Sequence, residues 1–157
     1  MATLIVLRHA KAVTGLGADI DRPLNDRGRR DASAAGRHLR DEGLAPGLVL
    51  CSTATRTRQT LDELALDGES EVSFEPRIYH NDVDTLFGLI GETADDVETL
   101  LLIGHSPSVH QLVIDLSGTE IDRFPTSACA VLSVDGAWAG LTNAAGSLIS
   151  YWTPKTA

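Results

Sequence analysis

The chain has 157 residues, 43% of them apolar and 22% charged, and carries a net charge of −9. That length supports a real core, expected as one domain over residues 1–157, and the charge argues against a nucleic-acid binder. No apolar run approaches the roughly 20 residues that cross a bilayer, and no basic region precedes the short Leu4–Leu7 run as in a signal peptide, so a cytoplasmic protein with no membrane partner is expected.

The charge is unevenly spread. Residues 1–60 hold ten of the thirteen Lys and Arg and six acids, whereas residues 61–157 hold three bases and sixteen acids. Cations are therefore concentrated in the first third, although long-range steering of an anion would be weak and binding must come from close contacts.

In chain order, Leu4 to Leu7 reads as a buried strand. Asn25 is placed to cap a helix running to Gly43, with Ala32, Ala35, Gly36 and Leu39 as a narrow apolar stripe. "GLVLCS" (47–52) is a second strand, "TRTRQTLDELAL" (55–66) a helix, "VSFE" (72–75) a short strand and "DVDTLFGLIG" (82–91) a helix. "TLLLIGH" (99–105) is the most apolar strand. "SPSVHQLVIDLSG" (106–118) follows, with Ser106 as N-cap, Pro107 at the first helical position and Gly118 as the stop. "ACAVLSV" (128–134) and "GSLISYW" (146–152) close the chain as strands, and the last five residues read as a loose tail. Cys51 and Cys129 belong to no C-x-x-C pair, so both are expected reduced and at least partly buried.

Strands alternating with helices define an α/β protein: a three-layer sandwich, its mostly parallel central sheet covered by helices on both faces. Ligands bind at the carboxyl ends of such strands. Arg8 and His9 leave the first strand there, Arg56 lies just past the second, and His105 ends the 99–105 strand. Two arginines and two histidines at one edge suit a phosphoryl group. Guanidinium forks match its oxygens, and the helices after Thr55 and Ser106 would add N-terminal donors. Neutral imidazole is a competent nucleophile, and a second histidine, if protonated, can donate to an oxygen. Lys11 is a candidate for drawing phosphate in.

These segments resemble the histidine phosphatase superfamily, which includes the phosphoglycerate mutases. "LRHAKA" (7–12) is similar to its R-H-G signature, "DRPLNDRGRRDA" (21–32) to its L-T-x-x-G segment, "STATRTRQT" (52–60) to S-P-x-x-R-A-x-Q-T and "LIGHSPSV" (102–109) to V-x-H-G-G. Within the family the chain most resembles the small SixA-type phosphohistidine phosphatases. The resemblance implies a phosphoglycerate mutase-like fold, His9 as nucleophile, and Arg8, Arg56 and His105 as the phosphate pocket. No metal or other cofactor is expected.

Three positions depart from the pattern: Ala10 stands for glycine, Thr53 for proline, and His80 in "RIYHN" (77–81) where larger members place a glutamate acid. His80 is thus a candidate acid or base, or a rim residue. An alkoxide leaving group needs a positioned acid, whereas the ring nitrogen of a phosphohistidine takes a proton near pH 6.5 unaided. The missing carboxylate therefore favours a P–N substrate on a phosphorylated protein. A phosphatase or mutase for small phosphorylated metabolites, and a non-catalytic phosphate-binding module, are the alternatives. Other signatures fail on counting. C-x5-R is off by one residue at Cys51, no Walker motif occurs, and "GLGADI" (15–20) lacks the third glycine of a dinucleotide fingerprint.

Overall fold

The computed structural model describes residues 2–15, 17–66 and 68–154. Six strands form one sheet: β1 (Ala2–Arg8), β2 (Leu48–Cys51), β3 (Glu71–Phe74), β4 (Thr99–Gly104), β5 (Cys129–Val134) and β6 (Gly146–Trp152). Their order is β3-β2-β4-β1-β5-β6. β3, β2, β4 and β1 are parallel, while β5 runs against β1 and β6 against β5.

β1 and β4 carry unbroken apolar runs, Leu4–Leu7 and Leu100–Ile103, because both of their faces are covered. Leu4, Val6, Leu100 and Leu102 point into one core, with α4 (Val83–Gly91) and α5 (Ser108–Ser117) above them. Ile5, Leu7, Leu101 and Ile103 point into the other, beneath α1 (Asp26–Asp41) and α2 (Thr55–Leu64). The three expected layers are therefore present. Both cysteines are buried as free thiols, and burial raises each to about 12.

Local signals fix several boundaries. The Asn25 side chain accepts from the Gly28 amide at 2.8 Å and caps α1, and Gly43 beyond its end has φ 69°. Gly36 lies against the Leu64 backbone, where a Cβ would collide with the carbonyl, so α1 and α2 pack closely along the expected stripe.

Elsewhere tertiary contacts overrule the sequence pattern. α2 ends at Leu64 rather than residue 66. Ala65 is left-handed, and Arg40 of α1 donates to the carbonyls of Leu64 (2.6 Å) and Ala65 (2.8 Å). α5 begins at Ser108, and Ser106 is not its cap. Asn81 performs that task from a distance, accepting from the Ser108 amide at 3.0 Å and donating to the Ser106 carbonyl at 2.6 Å. One short helix, α3 (Pro76–Tyr79), was not anticipated. Of the expected tail, Pro154 is buried; residues 155–157 lie outside the described residues. Among the described residues no helix is long and apolar enough to cross a membrane.

Candidate active site

β1, β4 and β2 are adjacent, parallel and level: Arg8 pairs with Gly104, and Cys51 with Ile103. Whatever follows each strand must emerge at the same edge. Arg8, His9, Arg56 and His105 accordingly line one cleft of about 480 Å³, with Lys11 also in its wall. His9, Arg56 and His105 are only 8%, 6% and 4% exposed. The His9 and His105 rings lie 5.3 Å apart between centroids.

The His9 tautomer follows from its partner. Nδ1 lies 2.7 Å from the Ala10 carbonyl, which can only accept, so Nδ1 carries the proton and Nε2 keeps its lone pair. Burial, with the charges of the neighbouring His105, Arg56 and Arg8, lowers His9 to about 3, so the ring is neutral at physiological pH. Ala10 itself is fixed by its amide, which donates to Thr60 Oγ1 at 2.9 Å. Thr60 in turn donates to the Arg56 carbonyl at 2.7 Å, tying the loop that carries His9 to α2.

His105 Nε2 lies 2.8 Å from Ser52 Oγ, and Arg56 Nη2 approaches Nδ1 at 3.4 Å. Since arginine only donates, Nδ1 accepts and Nε2 carries the proton. Burial and Arg56 lower His105 to about 4. The ring is therefore neutral in the free cleft, and can donate to a phosphoryl oxygen only once the incoming negative charge draws a second proton onto it.

The arginines keep donors in reserve. Arg8 Nη1 donates to the Phe124 carbonyl at 3.0 Å, and Arg56 donates to the Asp19 carbonyl (2.8 Å) and carboxylate (3.0 Å). Both Nε atoms are buried and lack a partner among the described residues, as expected of a seat built for an anion. The extra donors expected at the start of α5 are not all free, because Asn81 takes the Ser108 amide.

His80 is not brought to this cleft. It is exposed at the end of α3, while its neighbours Tyr79 and Asn81 line the wall. α3 ends at Tyr79 and Asn81 is left-handed (φ 61°), so the chain turns sharply here and leaves His80 exposed beside the cleft wall. The larger omission is Asp19, inside the dismissed "GLGADI" segment (its Leu16 lies outside the described residues). Asp19 is the sole carboxylate among the described residues lining the cleft. Tyr79 donates to it at 2.6 Å and Arg22 at 3.0 Å. Hydrogen bonds from Tyr79, Arg56 and Arg22 hold it well below the usual carboxylate range. No sequence signal marked it beyond an acid beside a glycine-rich turn. Gln59 was also missed: its Oε1 accepts from the Leu24 amide at 2.8 Å, pinning the loop before α1.

A neutral imidazole with a free nitrogen, flanked by two guanidinium groups and a second imidazole, is equipped to take a phosphoryl group in line. That architecture defines a class of phosphoryl-transfer enzymes using a histidine nucleophile on a phosphoglycerate mutase-like sheet. The chain belongs to the histidine phosphatase superfamily (branch 1), whose family model matches residues 4–97. It is 39% identical over 160 residues to the Mycobacterium tuberculosis protein Rv1276c, covering 95% of this chain and all of the relative. It is 28% identical over 145 residues to the phosphohistidine phosphatase SixA of Escherichia coli, covering 89% and 90% of the two chains. A solved structure from Nakamurella multipartitia that carries the name SixA superposes with a TM-score of 0.91 at 34% identity, covering 99% and 97%.

Proposed function

We propose that this phosphatase hydrolyses phosphohistidine on a protein. The observation that carries this reading is the state of Asp19. The cleft's carboxylate is ionised and held by three donors, so it has no proton to give an alkoxide. A leaving imidazole has no such need, since its nitrogen is protonated from solvent near neutral pH.

In the first step His9 Nε2 attacks phosphorus, forming a P–N bond as the substrate's P–N bond breaks. The departing ring nitrogen takes a proton from water. Arg8, Arg56 and His105 hold the three oxygens, and Lys11 stands at the rim. In the second step water attacks phospho-His9, releasing orthophosphate and restoring the neutral ring.

The test compares wild type with His9→Ala on a phosphohistidine protein, phosphoramidate and an alkyl phosphate. Wild type should hydrolyse the two P–N substrates, and should yield an acid-labile, base-stable phosphoryl-enzyme that the variant does not form. The variant should lose at least ~10³-fold in turnover, as removal of a nucleophile does. A kcat/KM for the alkyl phosphate equal to that for phosphoramidate would instead assign the site to small phosphate esters.

A further inference from the structure

The catalytic cleft is not isolated. A second groove of about 530 Å³ adjoins it, and Thr126 lines both. The strip Phe124–Ala128 is the partition between them. On the catalytic side its Phe124 carbonyl accepts from Arg8, the Ser127 amide donates to the Arg8 and His9 carbonyls, and the Ala128 carbonyl accepts from the Arg8 amide. On the other side stand Arg27, Arg123 and Tyr151.

The charge of this second groove is unusual for the molecule. Its lining holds two arginines against one acid, Asp122, and the catalytic cleft holds four cations against Asp19. The remaining described grooves carry acids and no bases. The largest, about 840 Å³, is lined by Glu71, Glu75, Glu92, Asp96 and Glu98, and two smaller ones by Asp95 with Glu98 and by Asp84 with Asp115. In a chain of net charge −9, these two joined grooves are the described ones whose linings hold more Lys and Arg than acids.

Both arginines are exposed. Arg27 is 47% exposed and shares Asp31 only at 3.5 Å. Arg123 is exposed, while the Tyr151 hydroxyl donates to its backbone carbonyl and fixes the base of its side chain. By contrast Arg77, another of the three bases after residue 60, is bound between Glu75 and Glu92.

We infer that the second groove is a docking site for a carboxylate-rich segment of the phosphorylated protein, gripped by Arg27 and Arg123 while the phosphoryl group sits on His9. This deepens the phosphoprotein reading and rests on it. A small metabolite would fill the catalytic cleft alone, whereas an acidic flank reaches across Thr126 into the groove. Complementary charges at a rim act on association and partner choice, and are screened by salt.

The test has a catalytic arm and a binding arm. In the first, kcat/KM is measured for phosphohistidine peptides with Asp/Glu or with Lys flanks, and for phosphoramidate. Wild type should favour the acidic flank by about tenfold, a typical effect of two rim charges. Arg27→Glu with Arg123→Glu should abolish or invert that ratio while leaving phosphoramidate within about twofold; the Gln pair guards against misfolding. In the second arm a fluorescent, unphosphorylated Asp/Glu peptide is titrated against wild type and variants, with binding that weakens at 300 mM salt and in the Glu pair. An unchanged flank ratio together with unchanged peptide binding overturns the docking site. An equal loss on phosphoramidate also overturns it, placing the arginines in the catalytic cleft. If wild type hydrolyses no P–N substrate but binds the acidic peptide through these arginines, the phosphohistidine reading fails and the groove stands.

Discussion

Asp19 shows how one residue can serve two masters in the proposed phosphoryl site. Its backbone carbonyl and its carboxylate both hold Arg56, yet the carboxylate also places a negative charge beside the seat of a dianion. In Asp19→Asn the backbone contact survives and the charge is lost. A unit charge a few ångströms away in a wet cleft is worth about 1 kcal/mol, so orthophosphate should inhibit the variant roughly three- to fivefold more tightly. An unchanged or weaker inhibition constant would mean that the carboxylate acts chiefly by aiming Arg56. The histidines give a second residue-scale prediction. His9 and His105 sit at about 3 and about 4 against an ordinary 6.5, so below pH 6.5 the unfolded chain binds protons that the folded chain refuses. Their contribution is complete above pH 6.5 and is lost as the pH falls from there toward 4 and 3. Each should remove on the order of 1–2 kcal/mol between pH 6.5 and 5. Urea unfolding at the two pH values checks this, and His9→Gln should flatten the slope.

At the scale of elements, two glycines set how closely helices approach their neighbours. Gly36 lies on the Leu64 carbonyl, and Gly28 on the Lys11 carbonyl, where the Asn25 amide also donates to Lys11 at 3.0 Å. Alanine favours a helix interior by up to about 1 kcal/mol, but a Cβ inserted against backbone costs about 1–3 kcal/mol. Gly36→Ala should therefore lower stability by ~1–2 kcal/mol in denaturant unfolding. A stabilised variant would show that α1 and α2 can part freely. Gly28→Ala should in addition shift the Lys11 loop, and so raise KM for a phosphoryl substrate more than it lowers Tm. Helix ends tell the same story of remote control: Arg40 closes α2 and Asn81 opens α5, neither of them local in sequence.

Across the whole molecule, the sheet order turns distant segments into one site. Because β4 lies between β1 and β2, residues 8–9, 56 and 105 leave three neighbouring strands at one level. The same topology draws a basic groove from both the basic first third and the acidic remainder, since Arg123 joins Arg27 on the far side of the partition at Thr126. The preference for acidic flanks belongs to this scale, because neither half of the chain alone carries both arginines.

The strands, most helices and the convergence of Arg8, His9, Arg56 and His105 on one edge of the sheet are legible in the residues alone. Runs such as Leu4–Leu7 and Leu100–Ile103 report burial on two faces, and caps such as Asn25 and Gly43 act within a few residues. The ordered motifs carried Arg8, His9, Arg56 and His105 together. Tertiary structure alone decided the rest: that Tyr79 and Asn81 enter the cleft while His80 faces outward, that Asp19 folds back onto Arg56, and that Asn81 rather than Ser106 caps α5. Each depends on where a loop comes to rest against an element far along the chain. Hydrophobic periodicity and local capping carry no record of such contacts.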